Sequence, residues 1–263
     1  MFTTHFKLSA QPFVERMPVD RLLQDERMTQ GLARLEYLAT AGSIALVAGQ
    51  TGVGKSSLLK LFLHTLSKNR YQPVYVHLTH VTPIGLLRLI VRDLGEVPKR
   101  GKENLFLQIL EKTQKSELMT VIVIDEGHLT QPDALTDLRL LVSSALGDEQ
   151  RLKLIITGQE TLWGELKRST HLDFVHRISV RYYLPPLTAD QTAAYIDFQM
   201  RKAGASDKVF DGDAKQLIHD FAGGVPRQIN NIATTCLING AAKNLQKIST
   251  AIVEDTMREF QLP

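Results

Sequence analysis

The segment Gly49–Ser56 matches the phosphate-binding loop pattern G-x-x-x-x-G-K-[ST] at every fixed position. An apolar run at 44–48 precedes it and predicts a buried strand, and the residues from Ser57 onward predict the start of a helix. Strand, glycine loop and helix form the context that this motif requires. In such a loop, backbone N–H groups surround phosphate oxygens, and the helix N-terminus favours negative charge.

The loop therefore predicts a site for ATP and Mg²⁺. Lys55 is expected to contact the β- and γ-phosphates, and Ser56 to bind the metal. A chance match in a glycine-rich turn is the alternative, and the flanking strand and helix disfavour it. The predicted nucleotide-binding residues of this segment are Gly49, Gln50, Thr51, Gly52, Val53, Gly54, Lys55, Ser56 and Ser57.

The composition is that of an ordinary globular chain. Of 263 residues, 43% are hydrophobic and 22% charged, and the formal net charge of +3 permits nucleic-acid binding without requiring it. The single cysteine, Cys236, excludes an internal disulfide and a cysteine-based metal cluster. Because no transmembrane run and no signal-peptide layout are evident, we expect a cytoplasmic protein without membrane contact.

Five β-like runs alternate with helical or loop segments, which predicts an α/β fold with a parallel five-stranded sheet between helices. Before these runs, 1–25 is expected to be an irregular arm anchored by Phe6, Pro12 and Phe13, followed by a helix over 25–41. After Pro185-Pro186 only helical patterns occur, so we predict a main domain over 26–186 and a small helical lid over 187–263. The predicted strands are 43–48, 73–78, 120–125, 153–157 and 179–184, and the predicted lid helices are 188–203, 213–221, 226–242 and 249–261.

Two adjacent carboxylates, Asp125 and Glu126, end the third apolar run about 70 residues after the glycine loop. In phosphate-loop enzymes the first carboxylate holds Mg²⁺. The second is placed to orient and activate the attacking water, and we assign Glu126 this role. A helix cap formed by the two acidic side chains is the alternative.

Other polar residues extend the predicted site. Thr157 and Gln159, at the end of the fourth run, are candidates to contact the γ-phosphate or its water, although a simple turn explains them too. Arg177 is a candidate arginine finger that acts on the nucleotide of a neighbouring subunit, with Arg168 and Arg181 as competitors. Arg227 follows a proline in the first turn of a lid helix and is expected to reach the nucleotide, unless it is a surface residue.

The glycine loop, Asp125-Glu126, Arg177 and the Gly224-x-Pro226-Arg227 of the lid occur in an order that resembles AAA+ ATPases. The chain is most similar to the general-secretion-pathway-A (ExeA) type and to transposition ATPases of the TnsC and Mu B kind. The motifs of this closer resemblance include Phe6 with Pro12-Phe13, Asp125-Glu126-Gly127-His128, Gly158-Gln159, 177–184, and Leu187-Thr188 with Tyr195-Ile196.

The resemblance implies an AAA+ domain with a helical lid, and homo-oligomers, rings or filaments, with ATP between subunits. Its transposition branch implies an ATPase that assembles on double-stranded DNA without sequence preference and recruits a transposase or target-selection protein. We take this as the first functional hypothesis, because secretion-type members usually add a membrane span and a wall-binding region. The alternative is a secretion-type ATPase that assembles envelope complexes.

The most basic cluster, Lys99-Arg100-Gly101-Lys102, supplies the candidate DNA contacts. Glycine and proline around it predict an exposed, flexible loop, and Thr79 at the end of the second strand could add a hydrogen bond to a phosphate. Contacts of this kind read no base sequence. The alternative is a solvated turn that carries three surface charges.

Overall fold

The structure is a computed structural model that describes residues 1–77, 81–144, 151–205 and 208–260. Twelve α-helices and five β-strands lie within these ranges. The strands are β1 (Ile44–Ala48), β2 (Tyr71–His77), β3 (Met119–Asp125), β4 (Leu152–Gly158) and β5 (Ile178–Tyr183). The helices are α1 (Phe2–His5), α2 (Glu26–Thr40), α3 (Lys55–Thr65), α4 (Pro83–Asp93), α5 (Lys102–Lys115), α6 (Pro132–Ser144), α7 (Thr161–Leu166), α8 (Leu172–His176), α9 (Ala189–Lys202), α10 (Gly212–Ala222), α11 (Pro226–Ala242) and α12 (Thr250–Phe260).

The five strands form one parallel sheet in the order β2-β3-β4-β1-β5. Every residue of β1 and β4 is buried, as expected for inner strands of a parallel sheet covered on both faces. The predicted α/β fold and its parallel five-stranded sheet are confirmed. Where the structure describes them, the predicted strand boundaries differ from the observed ones by two residues at most, and the predicted end of the second strand at Leu78 lies outside the described residues.

The free edge of the sheet at β2 is blocked by two local features. Pro73 has no N–H to donate, which is tolerated where that position faces away from the neighbouring strand. Two residues later, the Tyr75 N–H donates to Asp93 Oδ2 at 2.9 Å, so a side chain caps the next outward group. Both features reduce the tendency of an edge strand to pair with another chain.

The chain divides into two compact units. The first contains 1–26, 50–54 and 185–263, and the second contains 27–49 and 55–184. The second unit holds the sheet and one apolar core between the strands and α4, α5 and α6. The predicted boundaries at 26 and 187 lie near these breaks, and the arm is grouped with the C-terminal helices.

The N-terminal arm belongs to the core of the first unit. Phe6, Pro12 and Phe13 are buried, and the ring of Phe13 meets Phe210 edge-on at 6.3 Å between centroids. The arm was expected to be irregular throughout, which is wrong for two short segments. It contains the helix α1 and a 3₁₀ turn at Val19–Arg21.

The C-terminal helices begin and end at specific local signals. Thr188 and Gln191 form a capping box at the start of α9, with each side chain accepting from the other's backbone N–H. Gly224, with φ of +69°, precedes α11, and a Cβ at this position would lie 2.0 Å from the carbonyl oxygen of Leu187. The close approach of these two backbone segments therefore requires glycine at 224.

Candidate nucleotide-binding and hydrolysis site

The glycine loop has the backbone geometry of a phosphate-binding loop. Gly52 and Gly54 have φ values of +82° and +114°, which other residues adopt only with strain. α3 begins at Lys55, directly after the loop, and the Gly49 N–H at the start of the loop donates to the Gly158 carbonyl at 3.2 Å. The predicted order of strand, loop and helix is therefore present.

The predicted phosphate-binding lysine lies folded against its own loop. Lys55 is 5% exposed, and its Nζ donates to the Gly49 carbonyl at 2.9 Å. In this position the Lys55 ammonium group can replace its contact with the Gly49 carbonyl by contacts with phosphate oxygens. Gln50 and Thr51 are exposed.

The Asp125 carboxylate is the most heavily hydrogen-bonded side chain of the site, and it is fully buried at the end of β3. One oxygen, Oδ1, accepts from the Thr157 hydroxyl and from the Glu126 N–H at 3.0 Å. The other, Oδ2, accepts from Ser56 Oγ at 2.9 Å and from Tyr75 Oη at 2.7 Å. Asp125 and Ser56, the two predicted metal ligands, are therefore in direct contact.

The electrostatics of Asp125 favour the ionised form. Burial by itself opposes ionisation of the carboxyl, but hydrogen bonds from Thr157, Tyr75 and Ser56 outweigh it and lower the pKa of Asp125. For Tyr75, burial and the hydrogen bond to this carboxylate raise the pKa well above its usual range. The site thus keeps a buried anion beside neutral hydroxyl donors.

This arrangement fits Mg²⁺. A hydroxyl and a carboxylate 2.9 Å apart are hard oxygen ligands, and Mg²⁺ usually takes one or two protein ligands together with substrate phosphates. Among the described residues, no group of three or more His, Cys, Asp or Glu side chains could hold a metal by itself. Ser56 and Asp125 would therefore hold the ion jointly with the nucleotide.

Sequence reasoning missed Tyr75 and His77 on β2. β2 and β3 pair so that His77 lies opposite Asp125, and His77 Nδ1 is 3.6 Å from Asp125 Oδ2. Tyr75, two residues earlier, shares the same strand face. In the sequence, Val74 and Val76 alternate with the aromatic residues Tyr75 and His77. This alternation predicts a strand, but it does not reveal how β2 pairs with β3.

Glu126, the predicted water-activating residue, has a left-handed backbone with φ of +59°. Such a conformation is uncommon outside glycine and often marks functional sites. The next three residues, Gly127–Leu129, form a 3₁₀ turn, and His128 Nδ1 lies 3.4 Å from Glu126 Oε2. A Cβ at Gly127 would lie 2.3 Å from Ile156, so the turn packs tightly on β4.

The two candidates at the end of β4 differ in position. The Thr157 side chain is buried and donates to Asp125, whereas Gln159 is half-buried after the strand end. Thr157 therefore supports the metal-binding carboxylate. A γ-phosphate contact by either residue stays a prediction.

Arg177, the candidate finger, is exposed between α8 and β5. Its carbonyl accepts from Ser43 Oγ at 3.3 Å, which fixes the backbone and leaves the side chain outward. Its two competitors are engaged locally. Arg168 pairs with Glu165 at 3.2 Å, and Arg181 donates to the Val175 carbonyl at 2.8 Å.

Arg227 lies at the glycine loop within the first unit. Its N–H donates to the Gly52 carbonyl at 3.2 Å, and a Cβ added to Gly52 would lie 2.8 Å from Arg227 Cβ. The Pro226-Arg227 start of α11 is therefore in contact with Gly52 of the loop, and a contact between Arg227 and the nucleotide stays a prediction.

The structure corrects part of the prediction for the DNA-contacting cluster Lys99-Arg100-Gly101-Lys102. It lies between α4 and α5, and hydrogen bonds of Gln108 to Lys99 N–H and to the Val97 carbonyl anchor it. Lys102 is not a loop residue, because it begins α5 and its Nζ lies 2.8 Å from the buried Asp137. Lys99 and Arg100 are exposed, and Thr79 lies outside the described residues.

Comparisons with known proteins agree with this geometry. Residues 39–166 match the family model described as AAA domain, AAA_22. The chain is 29% identical over 255 residues to General secretion pathway protein A of Aeromonas hydrophila, covering 94% of this chain and 46% of that protein. It thus spans about half the length of this relative.

Solved structures share the fold. The Cdc6p structure from Pyrobaculum aerophilum has a TM-score of 0.73 at 22% identity and covers 98% of this chain and 70% of its own. A Drosophila ORC bound to DNA has a TM-score of 0.74 at 17% identity, covering 100% of this chain and 66% of its own. Residues 39–166 therefore form an AAA-type P-loop ATPase domain, which confirms the AAA+ ATPase assignment made from the sequence motifs.

Proposed function

We propose that this chain is an oligomeric ATPase of the general-secretion-pathway-A type, which uses ATP to assemble or remodel envelope protein complexes. The observation that carries this proposal is the extent of the similarity to General secretion pathway protein A. It covers 94% of this chain and so extends beyond the AAA domain into the C-terminal helices.

In this function the loop binds the triphosphate and Lys55 exchanges its contact with the Gly49 carbonyl for phosphate oxygens. Ser56 and Asp125 would hold Mg²⁺, which would supply charge neutralisation at the phosphates. Arg227, at Gly52, senses the occupied loop from the first turn of α11.

Hydrolysis is assigned to Glu126. Its carboxylate orients a water molecule towards the γ-phosphate and accepts a proton from that water. In the described structure Oε2 of this carboxylate lies 3.4 Å from His128 Nδ1.

The oligomer would complete the site through Arg177. Its exposed side chain on a fixed backbone suits a contact with the γ-phosphate of a neighbouring subunit. Arginine fingers contribute about 10³–10⁵ in rate. Arg177→Ala should therefore bind ATP normally and lose hydrolysis, with Arg168→Ala as the matched control.

The test combines electron microscopy with flotation. Purified protein with a non-hydrolysable ATP analogue should form regular assemblies with or without random-sequence duplex DNA. It should also float with envelope vesicles in an ATP-dependent manner, and protease treatment of the vesicles should abolish this binding. Absence of nucleotide-dependent assembly, or equal binding to protease-treated vesicles, would refute the proposal.

A second candidate is the DNA transposition regulator, which coats duplex DNA and recruits a transposase. Exposed Lys99 and Arg100 favour it, since repetition across an oligomer multiplies weak phosphate contacts. Among the described residues, no helix is long and apolar enough to cross a bilayer.

Removal of the charges of Lys99 and Arg100 distinguishes the two candidate functions. Lys99→Gln with Arg100→Gln should lower the salt dependence of DNA binding by about 0.9 per lost phosphate contact. Lys102→Gln is the control, because that lysine pairs with Asp137. DNA-dependent assembly that responds to the double variant favours transposition, and assembly indifferent to DNA favours the envelope function.

A further inference from the structure

An aromatic side chain of the edge strand contacts the metal-binding carboxylate, and it belongs to none of the ATPase motifs. Tyr75 Oη donates to Asp125 Oδ2 at 2.7 Å. Ser56 Oγ donates to the same oxygen at 2.9 Å. The carboxylate oxygen closest to the phosphate-loop serine is therefore shared with a tyrosine.

We propose that Tyr75 is a positioning residue of the Mg²⁺ site, whose phenol competes with the metal for Asp125 Oδ2 and thereby sets how strongly nucleotide binding depends on Mg²⁺. The assignment rests on the proposed ATPase site and adds a residue that regulates its metal affinity.

The competition follows from the sharing of one carboxylate oxygen between the phenol and the metal. An ionised carboxylate offers about four lone-pair sites. Thr157 and the Glu126 N–H occupy Oδ1, while Ser56 and Tyr75 occupy Oδ2. When Ser56 turns its hydroxyl oxygen to Mg²⁺, it vacates one lone pair of Oδ2 for the metal, while the phenol still draws negative charge from the same oxygen through the other lone pair.

Whether loss of the phenol strengthens or weakens Mg²⁺ binding depends on what holds the Asp125 carboxylate in place. The two donors on Oδ1 come from β4 and from the adjacent backbone, and they fix the carboxylate without Tyr75. Removal of the phenol therefore returns a lone pair to Oδ2 and leaves the orientation unchanged. The oxygen that faces the metal becomes a better ligand.

The surroundings of Tyr75 allow its ring to move independently of its backbone. The N–H of Tyr75 is held by Asp93 Oδ2 at 2.9 Å. The ring itself borders an open pocket of about 340 Å³, whose lining also includes His77, Leu89 and Arg92. The phenol can thus leave Asp125 by side-chain rotation alone.

The test is Tyr75→Phe, with Tyr183→Phe as the matched control. Both tyrosine residues are about two-fifths exposed, and each donates from its phenol to a carboxylate, which for Tyr183 is Glu160 Oε1 at 2.6 Å. The dissociation constant of fluorescent ADP is measured with and without Mg²⁺, and the ratio of the two constants reports the metal contribution. This readout requires neither hydrolysis nor assembly.

We expect Tyr75→Phe to increase this ratio about 10- to 30-fold, the lower part of the range for a hydrogen bond to a charged group. Tyr183→Phe should match the wild-type ratio. An unchanged or smaller ratio for Tyr75→Phe, or an equal change in both variants, would overturn the role of Tyr75 alone. A wild-type protein that binds no nucleotide would overturn the ATPase function together with it.

Discussion

Replacing Thr157 with valine isolates the contribution of one buried hydrogen bond to the folded state. Thr157 and Asp125 both have no exposed surface, and the threonine hydroxyl donates to Asp125 Oδ1. Valine keeps the shape of the side chain and removes the donor. Because a hydrogen bond to a charged group contributes about 1.5–3 kcal/mol and Asp125 retains three other donors, we expect the free energy of unfolding to fall by about 2 kcal/mol at pH 7.

The pH dependence of this loss has a defined sign. Burial opposes ionisation of Asp125, but hydrogen bonds from Thr157 and other donors outweigh it, so the pKa of Asp125 is lowered in the folded state. A lowered pKa stabilises the fold above the unfolded value of about 3.9, and this contribution is lost as the pH falls through the lower folded value. The difference between wild type and Thr157→Val should therefore be complete at pH 7 and shrink below about pH 4.

The assay is urea denaturation followed by circular dichroism between pH 7 and pH 3.5. Thr157→Ser is the matched variant, because it keeps the hydroxyl and loses one buried methyl group, at a cost of about 0.8 kcal/mol. If the valine variant is as stable as the serine variant, or if its deficit is constant over this pH range, the assigned role of the hydroxyl is refuted.

Three further predictions concern the rest of the molecule. Glu126→Gln should bind fluorescent nucleotide normally but lose about 10²–10⁴ in turnover, and undiminished phosphate release would remove Glu126 from its role. Gly224→Ala should lower the free energy of unfolding by about 3 kcal/mol through strain and overlap with Leu187, measured in urea. Gly223→Ala, which meets no atom within 4 Å, should cost about 1 kcal/mol, and equal losses would contradict the overlap. Because burial raises the pKa of the Cys236 thiol to about 11, a thiol reagent at pH 8 should react only after unfolding, and rapid labelling of the native protein would show that the thiol is accessible.

Much of the fold follows from local sequence patterns. The runs around Val121–Ile124 and Leu154–Ile156 are continuously apolar, which is typical of strands inside a parallel sheet, and they form β3 and β4. Pro226 predicted the start of α11 at its observed residue, since proline suits the first helical turn. The phosphate-binding loop was also predictable, because its fixed residues lie close together in the sequence.

Contacts between distant residues were not predictable in this way. Tyr75 reaches Asp125 across 50 residues, and only the pairing of β2 with β3 brings them together. Lys102 looked like a loop cation, but Asp137 on α6 neutralises it from 35 positions away. Neither partner leaves a signal in the sequence near the residue that it contacts.

The packing of the N-terminal arm has a consequence for biosynthesis. His5 Nε2 contacts the Leu245 carbonyl at 2.7 Å, across 240 residues, and Phe6 shares a core with Ile248. At about 5–20 residues per second, a ribosome needs roughly 10–50 s to add that length of chain. During this interval His5 and Phe6 lack these C-terminal partners, and they are exposed to chaperones or to neighbouring nascent chains.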